Sequence, residues 1–283
     1  MSFKLLIIGS GFLGSSITKQ AKVSNISVTC TDKTKNPQID IRNKDSIEKI
    51  FLHVKPDCVI NCAALTDVDY AEKQPMDAYS VNAYGAENIA TISKKYKTRM
   101  LHISTDAVFD GMRGMYSEND VPNAVNEYGK SKLLGEKLVL HALDTATIIR
   151  TNFYGSDENG NFLFNWILKN LKEQKSFRAF DDVVFNPLEI MNLSQMILEL
   201  TNMTYEGILH LSSDHVMSKY EFACEIAHIL HFDKQYIQKA KLENANLFAP
   251  RPLNTTLANN KAKKILTTKQ IQLDEWLKRQ FLT

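Results

Sequence analysis

Tyr128-Gly129-Lys130-Ser131-Lys132 contains two side chains able to do proton chemistry together. It lies in a run whose pattern predicts a helix from about Asn126 to His141. Residues four apart share a helix face, so Tyr128 and Lys132 would present a phenol beside an ammonium. A nearby ammonium favours phenolate and lowers a pKa that starts near ~10. A tyrosine so placed can give or take a proton near neutral pH. With ten tyrosines and a lysine at roughly one position in ten, chance alone yields about one such pair. Taken alone the pair is weak evidence, and its meaning depends on the scaffold around it.

The scaffold is legible from the N-terminus. Lys4–Ile8 reads as a buried parallel strand ending at Gly9. Gly9-Ser10-Gly11-Phe12-Leu13-Gly14 follows and opens a predicted helix to about Lys22. This is the Gly-x-Gly-x-x-Gly fingerprint between a first strand and a first helix. Gly9 permits the tight turn, Gly11 lets the backbone approach a pyrophosphate, and Gly14 allows close packing. The anion would rest on free N–H groups at the helix start. A second strand, Ile26–Thr31, ends at Asp32, which can accept from an adenosine ribose and repel a 2′-phosphate, favouring NAD. Lys33 and Lys35 can offset that repulsion, and a solvated Asp-Lys turn is the plainer alternative.

Strand and helix then alternate. Asp45–Val54 reads as a crossover helix, and Cys58–Ile60 as a third strand leading into Asn61-Cys62-Ala63-Ala64, where small residues suit close approach of a nucleotide. A helix containing Asn82 to Asn88 runs to about Lys95. A fourth strand, Met100–Ile103, ends in Ser104-Thr105-Asp106, and Thr105 can either bond a substrate carbonyl or cap a turn. The fifth strand is Ala146–Arg150. This rhythm predicts an α/β fold with a Rossmann-type doubly wound parallel sheet over residues 1–151, completed by part of 177–212. Residues 152–283 form a smaller C-terminal α/β unit for substrate, with helices at Phe162–Lys172, Leu193–Thr201, Lys219–Leu230 and Leu273–Phe281. In Ala249-Pro250-Arg251-Pro252-Leu253, an arginine between prolines can offer a rigid guanidinium to a diphosphate or simply form a surface turn.

The totals exclude several classes. The 283 residues suffice for a real core, and 44% hydrophobic with 23% charged residues is ordinary for a globular protein. A formal charge of +2 from 34 basic and 32 acidic residues gives no electrostatic case for nucleic acid or an anionic membrane. Apolar runs stop far short of a signal peptide or membrane span. Cys30, Cys58, Cys62 and Cys224 have no zinc spacing and read as reduced thiols of a cytoplasmic protein. Gly129-Lys130-Ser131 lacks the earlier glycine of a phosphate loop, since Ala124 stands there. No metal-binding or serine-hydrolase motif is present, and His102 reads as a core histidine.

The glycine loop, Asn61-Cys62-Ala63-Ala64, Ser104-Thr105-Asp106 and Tyr128…Lys132, in that order, resemble the extended short-chain dehydrogenase/reductase superfamily. More narrowly, Lys55–Asn61, Ser104–Gly111, Asn126–Lys132, Arg150-Thr151 and Arg251-Pro252 resemble the dTDP-4-dehydrorhamnose reductase family. The resemblance implies a catalytic Thr105, Tyr128 and Lys132. It implies cofactor contacts from Gly9, Gly11, Phe12, Leu13, Gly14, Asp32, Asp40, Ile41, Cys62, Ala63, Ala64, Tyr128 and Lys132. It also implies substrate contacts from Ser104, Thr105, Ala107, Phe153 and Arg251. Thr105 would polarise a ketone, Tyr128 would protonate its oxygen, and Lys132 would hold the nicotinamide ribose of NADPH or NADH. The chain departs from the family pattern where Ala107 replaces a tyrosine and Phe153 a tryptophan, and around Asp182–Leu188.

The expected activity is reduction of the 4-keto group of a nucleotide-diphosphate 6-deoxysugar in deoxysugar or surface-polysaccharide synthesis. A sugar-nucleotide epimerase or epimerase-reductase is the alternative on this scaffold. A non-catalytic regulatory subunit is the rival from another class, since one branch of the family regulates methionine adenosyltransferase in animals. A homodimer is common in the superfamily, though nothing in the sequence demands one.

Overall fold

Apolar runs separated by helical patterns become six parallel strands in a computed structural model that describes residues 3–34, 37–156 and 162–282. Lys35 falls outside them. The strands are β1 (Lys4–Ile8), β2 (Ser27–Thr31), β3 (Cys58–Asn61), β4 (Arg99–Thr105), β5 (Thr147–Thr151) and a sixth, Gly207–Leu211. Their spatial order is sixth–β5–β4–β3–β1–β2. The register sets Ile7 beside Cys30 and Ile60, and Ile103 beside Ile149.

A parallel sheet must be covered on both faces, and alternate residues serve the two. Leu5, Ile7, Ile60 and Leu101 meet Leu13 and Ile17 of helix Phe12–Val23 and Leu193 and Ile197 of helix Ile190–Thr201. Leu6, Ile8, Val59 and Met100 meet Ile47, Phe51 and Ile89, from helices Lys44–Val54 and Ala86–Lys95, and Val139 of helix Glu127–Ala142. The order reverses at β1, because β2 lies on one side and β3 on the other. A crevice therefore opens at the strand ends there, where α/β sheets bind ligands.

A second core is aromatic. Tyr154, Phe164, Phe185, Phe222 and Trp276 are buried together, with Phe164 edge-on to Trp276 at 4.9 Å. Phe177–Phe180 pairs in parallel with Ile237–Ala240, a strand that the hydrophobic pattern does not announce. Helix Lys219–Ile229 starts on a capping box between Ser218 and Glu221.

Where one continuous helix to Lys95 is expected, the structure has a six-residue π segment, Ser80–Gly85, before helix Ala86–Lys95. Such widened turns recur at functional sites. Here it brings Asn82 against the helix that carries Tyr128. Among the described residues, no helix is long and apolar enough to cross a membrane.

Candidate active site

Gly9 follows β1 with φ +102, which an L side chain rarely adopts, and a Cβ there would fall 2.5 Å from the Ala63 nitrogen. A Cβ at Gly14 would fall 1.9 Å from the Gly9 carbonyl oxygen. The turn is therefore clamped between the first helix and the Asn61–Ala64 segment. No atom lies within 4 Å of the Cβ position of Gly11, so the helix start is open to a ligand. These residues line a cleft of about 710 Å3, together with Phe12, Leu13, Asp32, Ile41, Cys62, Ala63 and Ala64. Ser104, Thr105, Tyr128, Lys132 and Phe153 line the same cleft. Two sequence-predicted substrate residues, Ala107 and Arg251, do not line it. They border an adjoining cavity of about 540 Å3 that shares Asp106 and Asn152 with the first.

The Tyr128 helix is set by backbone contacts. Asn126 caps it, its side chain accepting from the Gly129 N–H at 2.8 Å, and its amide donates to the Pro250 carbonyl at 2.9 Å. Gly129 permits close approach, because a Cβ there would stand 2.3 Å from the Ala107 carbonyl oxygen. Gly135 meets the Asn82 carbonyl in the same way, at 2.2 Å. The Asn82 side chain donates to Ser131 Oγ at 3.0 Å and accepts from the Leu65 N–H at 2.8 Å.

Tyr128 and Thr105 meet at the end of β4. The Thr105 hydroxyl accepts from the Ala107 N–H at 3.2 Å and donates to Asp106 Oδ1 at 3.1 Å. Burial pushes the Tyr128 phenol up to about 12, against the lowering effect of its hydrogen bond with Thr105. This corrects the expectation that the lysine lowers the tyrosine. Lys132 turns to the sheet instead and donates to the Ile103 carbonyl at 2.7 Å. Burial lowers its ammonium to about 8, opposed by the Glu136 carboxylate. In the protein alone, Tyr128 therefore keeps its proton and Lys132 is the group that titrates.

Three further residues have other engagements than expected. The Asp32 carboxylate accepts from Ser10 Oγ and from the Thr34 N–H and hydroxyl at 2.6 and 2.8 Å, so its own turn uses its acceptor sites. Asp40 is outside the cleft lining. Its carboxylate takes a 2.6 Å bond from the Arg42 guanidinium, which holds it down to about 2. Arg251 is paired to Asp69 at 3.0 Å and donates to the Ala249 carbonyl at 2.8 Å.

Sequence reasoning missed the network beneath the site. Ser104 Oγ donates to Glu136 Oε1 at 2.5 Å, so its proton is engaged beneath the cleft that Ser104 also lines. Glu136 is paired with Arg150 at 2.7 Å, both buried, and Arg150 reaches His210 at 3.4 Å. The chain Ser104–Glu136–Arg150–His210 ties the Tyr128 helix to β4, β5 and the sixth strand. Its members lie far apart in sequence, and no local signal reveals them. Asp106 is another anchor, its Oδ2 accepting from Asn152 at 2.7 Å and Thr255 at 2.6 Å. His102 is buried and bonded to Asn61 at 3.0 Å, and burial drives it well below its usual value, which leaves it neutral.

Known proteins resemble this arrangement over the whole chain. A dTDP-4-dehydrorhamnose reductase of Aggregatibacter actinomycetemcomitans is 32% identical over 96% of this chain and 95% of its own length. The spore coat polysaccharide biosynthesis protein SpsK of Bacillus subtilis is 32% identical over 90% and 89%. The crystal structure of dTDP-4-dehydrorhamnose reductase from Bacillus anthracis in complex with NADP superimposes with a TM-score of 0.91 at 29% identity, covering 100% of this chain and 99% of that one. The family described as RmlD substrate binding domain matches residues 3–281, and the chain belongs to that family.

Proposed function

We propose that the protein is an NADPH-dependent reductase of the 4-keto group of a nucleotide-activated 6-deoxysugar, acting in the cytoplasm in polysaccharide synthesis. One observation carries this reading: Thr105, Tyr128 and Lys132 line the same cleft as the Gly9–Gly14 turn. The relatives' names supply the substrate class, and the Bacillus anthracis complex supplies the cofactor. We read residues 1–151, with helix Ile190–Thr201 and strand Gly207–Leu211, as the cofactor unit, and the rest of 152–283 as the substrate unit.

The residues present fit a dinucleotide. The clamped turn leaves N–H groups at the first helix start open beside Gly11, where a diphosphate is favoured. Lys33 and Thr34 line the cleft beside Asp32, and the Lys33 ammonium and Thr34 hydroxyl are the groups there that could receive a 2′-phosphate. Ala63, Ala64 and Ile41 give an apolar wall for the base and ribose. Bound NADPH supplies the hydride that reduces the sugar ketone.

The protein does the rest. Thr105 is fixed by the Ala107 N–H, and its hydroxyl proton, which rests on Asp106 Oδ1, would turn to the ketone oxygen as charge develops there. Tyr128, protonated at neutral pH because burial holds it high, donates its proton to that oxygen. Lys132 leaves the Ile103 carbonyl to hold the nicotinamide ribose, and its charge then stabilises the phenolate left behind. The depression of Tyr128 by Lys132 thus belongs to the loaded site. The test is an assay of cofactor absorbance with a panel of nucleotide 4-keto-6-deoxysugars. Stoichiometric oxidation of NADPH is expected, and a panel without any oxidation would overturn the reading.

A further inference from the structure

His102 is fully buried in β4, and the register of the sheet sets it directly opposite Asn61, the last residue of β3. The two side chains meet at 3.0 Å through Asn61 Nδ2 and His102 Nδ1. The orientation of the amide is dictated from its other end. Asn61 Oδ1 accepts the Ala63 N–H at 3.1 Å, so Nδ2 faces the imidazole as a donor. Nδ1 is then the acceptor, which places the ring proton on Nε2. Burial, and after it the charge of Lys132, hold the imidazole in the neutral form that this requires. Among the described residues, Nε2 has no hydrogen-bond partner although it is buried. A buried, unpaired N–H is unfavourable and an apolar side chain would avoid it, so packing alone does not account for a histidine here.

The relay reaches the cleft at Ala63. Ala63 lines the cleft, and its backbone nitrogen is the atom that a Cβ on Gly9 would strike at 2.5 Å. The Cys62 N–H donates to the Ile8 carbonyl at 2.8 Å and ties the same segment to β1. A continuous path of contacts therefore runs His102–Asn61–Ala63–Gly9, from the interior of β4 to the turn before the first helix.

We propose that His102 is a positioning residue for the cofactor turn, its unprotonated Nδ1 fixing the Asn61 amide and, through it, the Ala63 backbone that backs Gly9. His102 itself does not line the cleft. The inference rests on reading the cleft as a dinucleotide site, and not on which ketone is reduced there. With the acceptor removed, the Asn61 amide is free to turn over and the Ala63 N–H loses its fixed partner. The Gly9–Gly14 turn then loses the rigid backing that holds its N–H groups in place for a diphosphate.

His102→Leu and His102→Asn introduce side chains of similar volume, and only the second offers an oxygen near the place of Nδ1. Calorimetric titration of the full chain with NADPH should show affinity about tenfold weaker in His102→Leu, the worth of one hydrogen bond. His102→Asn should stay within about threefold of wild type, because it keeps the acceptor. Equal losses in the two variants would mark a packing role and overturn the proposal, as would an unchanged affinity in His102→Leu. Should the variants fail to fold, long-range 1H–15N correlation of the wild-type imidazoles reads the same question. The His102 ring, identified by its contact with the Asn61 amide protons, should carry its proton on Nε2 near neutral pH. A proton on Nδ1 overturns the proposal and leaves the reductase reading standing. NADPH binding that depends on the acceptor, in a protein that oxidises NADPH with no ketosugar, keeps the positioning role and removes the reductase reading. A wild type that binds no NADPH overturns both.

Discussion

The cofactor cleft and the cavity beside it share Asp106 and Asn152, yet they are assembled differently. The cleft is founded on three short segments at the ends of adjacent parallel strands, Gly9 to Gly14, Cys62 to Ala64 and Ser104 to Asp106, with larger side chains such as Ile41, Tyr128 and Phe153 set around them. Each piece is contiguous in sequence. The second cavity is made of long side chains from Val68, Trp166, Arg178, Lys219, Leu247 and Arg251, which no short motif contains. A backbone-built cleft can accept the same cofactor across many relatives, because its geometry depends on few side chains. A side-chain-built cavity can change its ligand one residue at a time. On this view the chemistry resides in the first and the choice of sugar in the second.

That contrast is broken most directly at Tyr128. Tyr128→Phe removes one hydroxyl from the cleft without altering its backbone. Turnover should fall by about 10²–10⁴, the usual worth of a positioned acid, while NADPH affinity stays within about twofold. Steady-state kinetics with calorimetry of cofactor binding check both halves. A loss of cofactor affinity comparable to the loss of turnover would mean that Tyr128 shapes the cleft rather than acting in it.

The next test asks whether the backbone-built cleft depends on what lies under it. Glu136→Gln leaves the buried Arg150 guanidinium without its counter-charge. Breaking one side of a buried pair typically costs about 3–5 kcal/mol. Urea denaturation should show a loss of that size, and the surviving folded protein should turn over more slowly because Glu136 and Tyr128 share a helix. An unchanged midpoint would remove the network from any role in holding that helix to the sheet.

Much of the cleft is legible in sequence for a physical reason. A tight turn, a close approach and a phosphate-binding helix start all demand glycine at fixed spacing, and an acid–base pair on one helix face demands spacing of four. β1 falls at the residues its hydrophobic run predicts, and the sixth strand lies within the 177–212 stretch expected to complete the sheet. Legibility fails where partners are distant. Glu136 meets Arg150 and Ser104 across three elements, and Arg251 meets Asp69 from the far end of the chain. The π segment at Ser80–Gly85 is hidden because a helical pattern does not specify hydrogen-bond register. Asp40 lies outside the cleft lining and is paired with Arg42 two residues later, a local contact that the reading of motifs does not reveal. Lys219 reads only as the start of an amphipathic helix, since nothing in its sequence neighbours announces the Phe185 ring on which its ammonium lies.

Lys132 sharpens the same contrast through pH. Its ammonium titrates at about 8 in the folded protein against an ordinary lysine value of 10.5. Between those values the unfolded chain holds a proton that the folded chain has released. Stability therefore rises with pH across that window, and below it the charged buried lysine destabilises the fold. The penalty is on the order of 3 kcal/mol. Without cofactor, the difference in unfolding free energy between wild type and Lys132→Met should shrink as pH rises from about 8 to 10.5. A pH-independent difference would mean that Lys132 is solvated.

The smallest effect completes the comparison from the cofactor side. Lys33 lines the cleft beside Asp32 and is half exposed, 3.9 Å from Asp40. An exposed charge pair contributes about 0.2–1 kcal/mol, so Lys33→Gln should raise the KM for NADPH by about two- to fivefold and leave the KM for NADH nearly unchanged. Raised salt should reduce the difference, as screening of an exposed charge requires. Lys33 and Lys219 then serve for comparison, one cation taken from the lining of each cavity. If the two cavities are independent, Lys33→Gln should alter cofactor constants alone, and combining it with Lys219→Met should give the sum of the separate changes within about 0.5 kcal/mol. A larger coupling would mean that cofactor and sugar are read by one connected electrostatic site, and the division between a cleft for chemistry and a cavity for specificity would fail at the wall formed by Asp106 and Asn152.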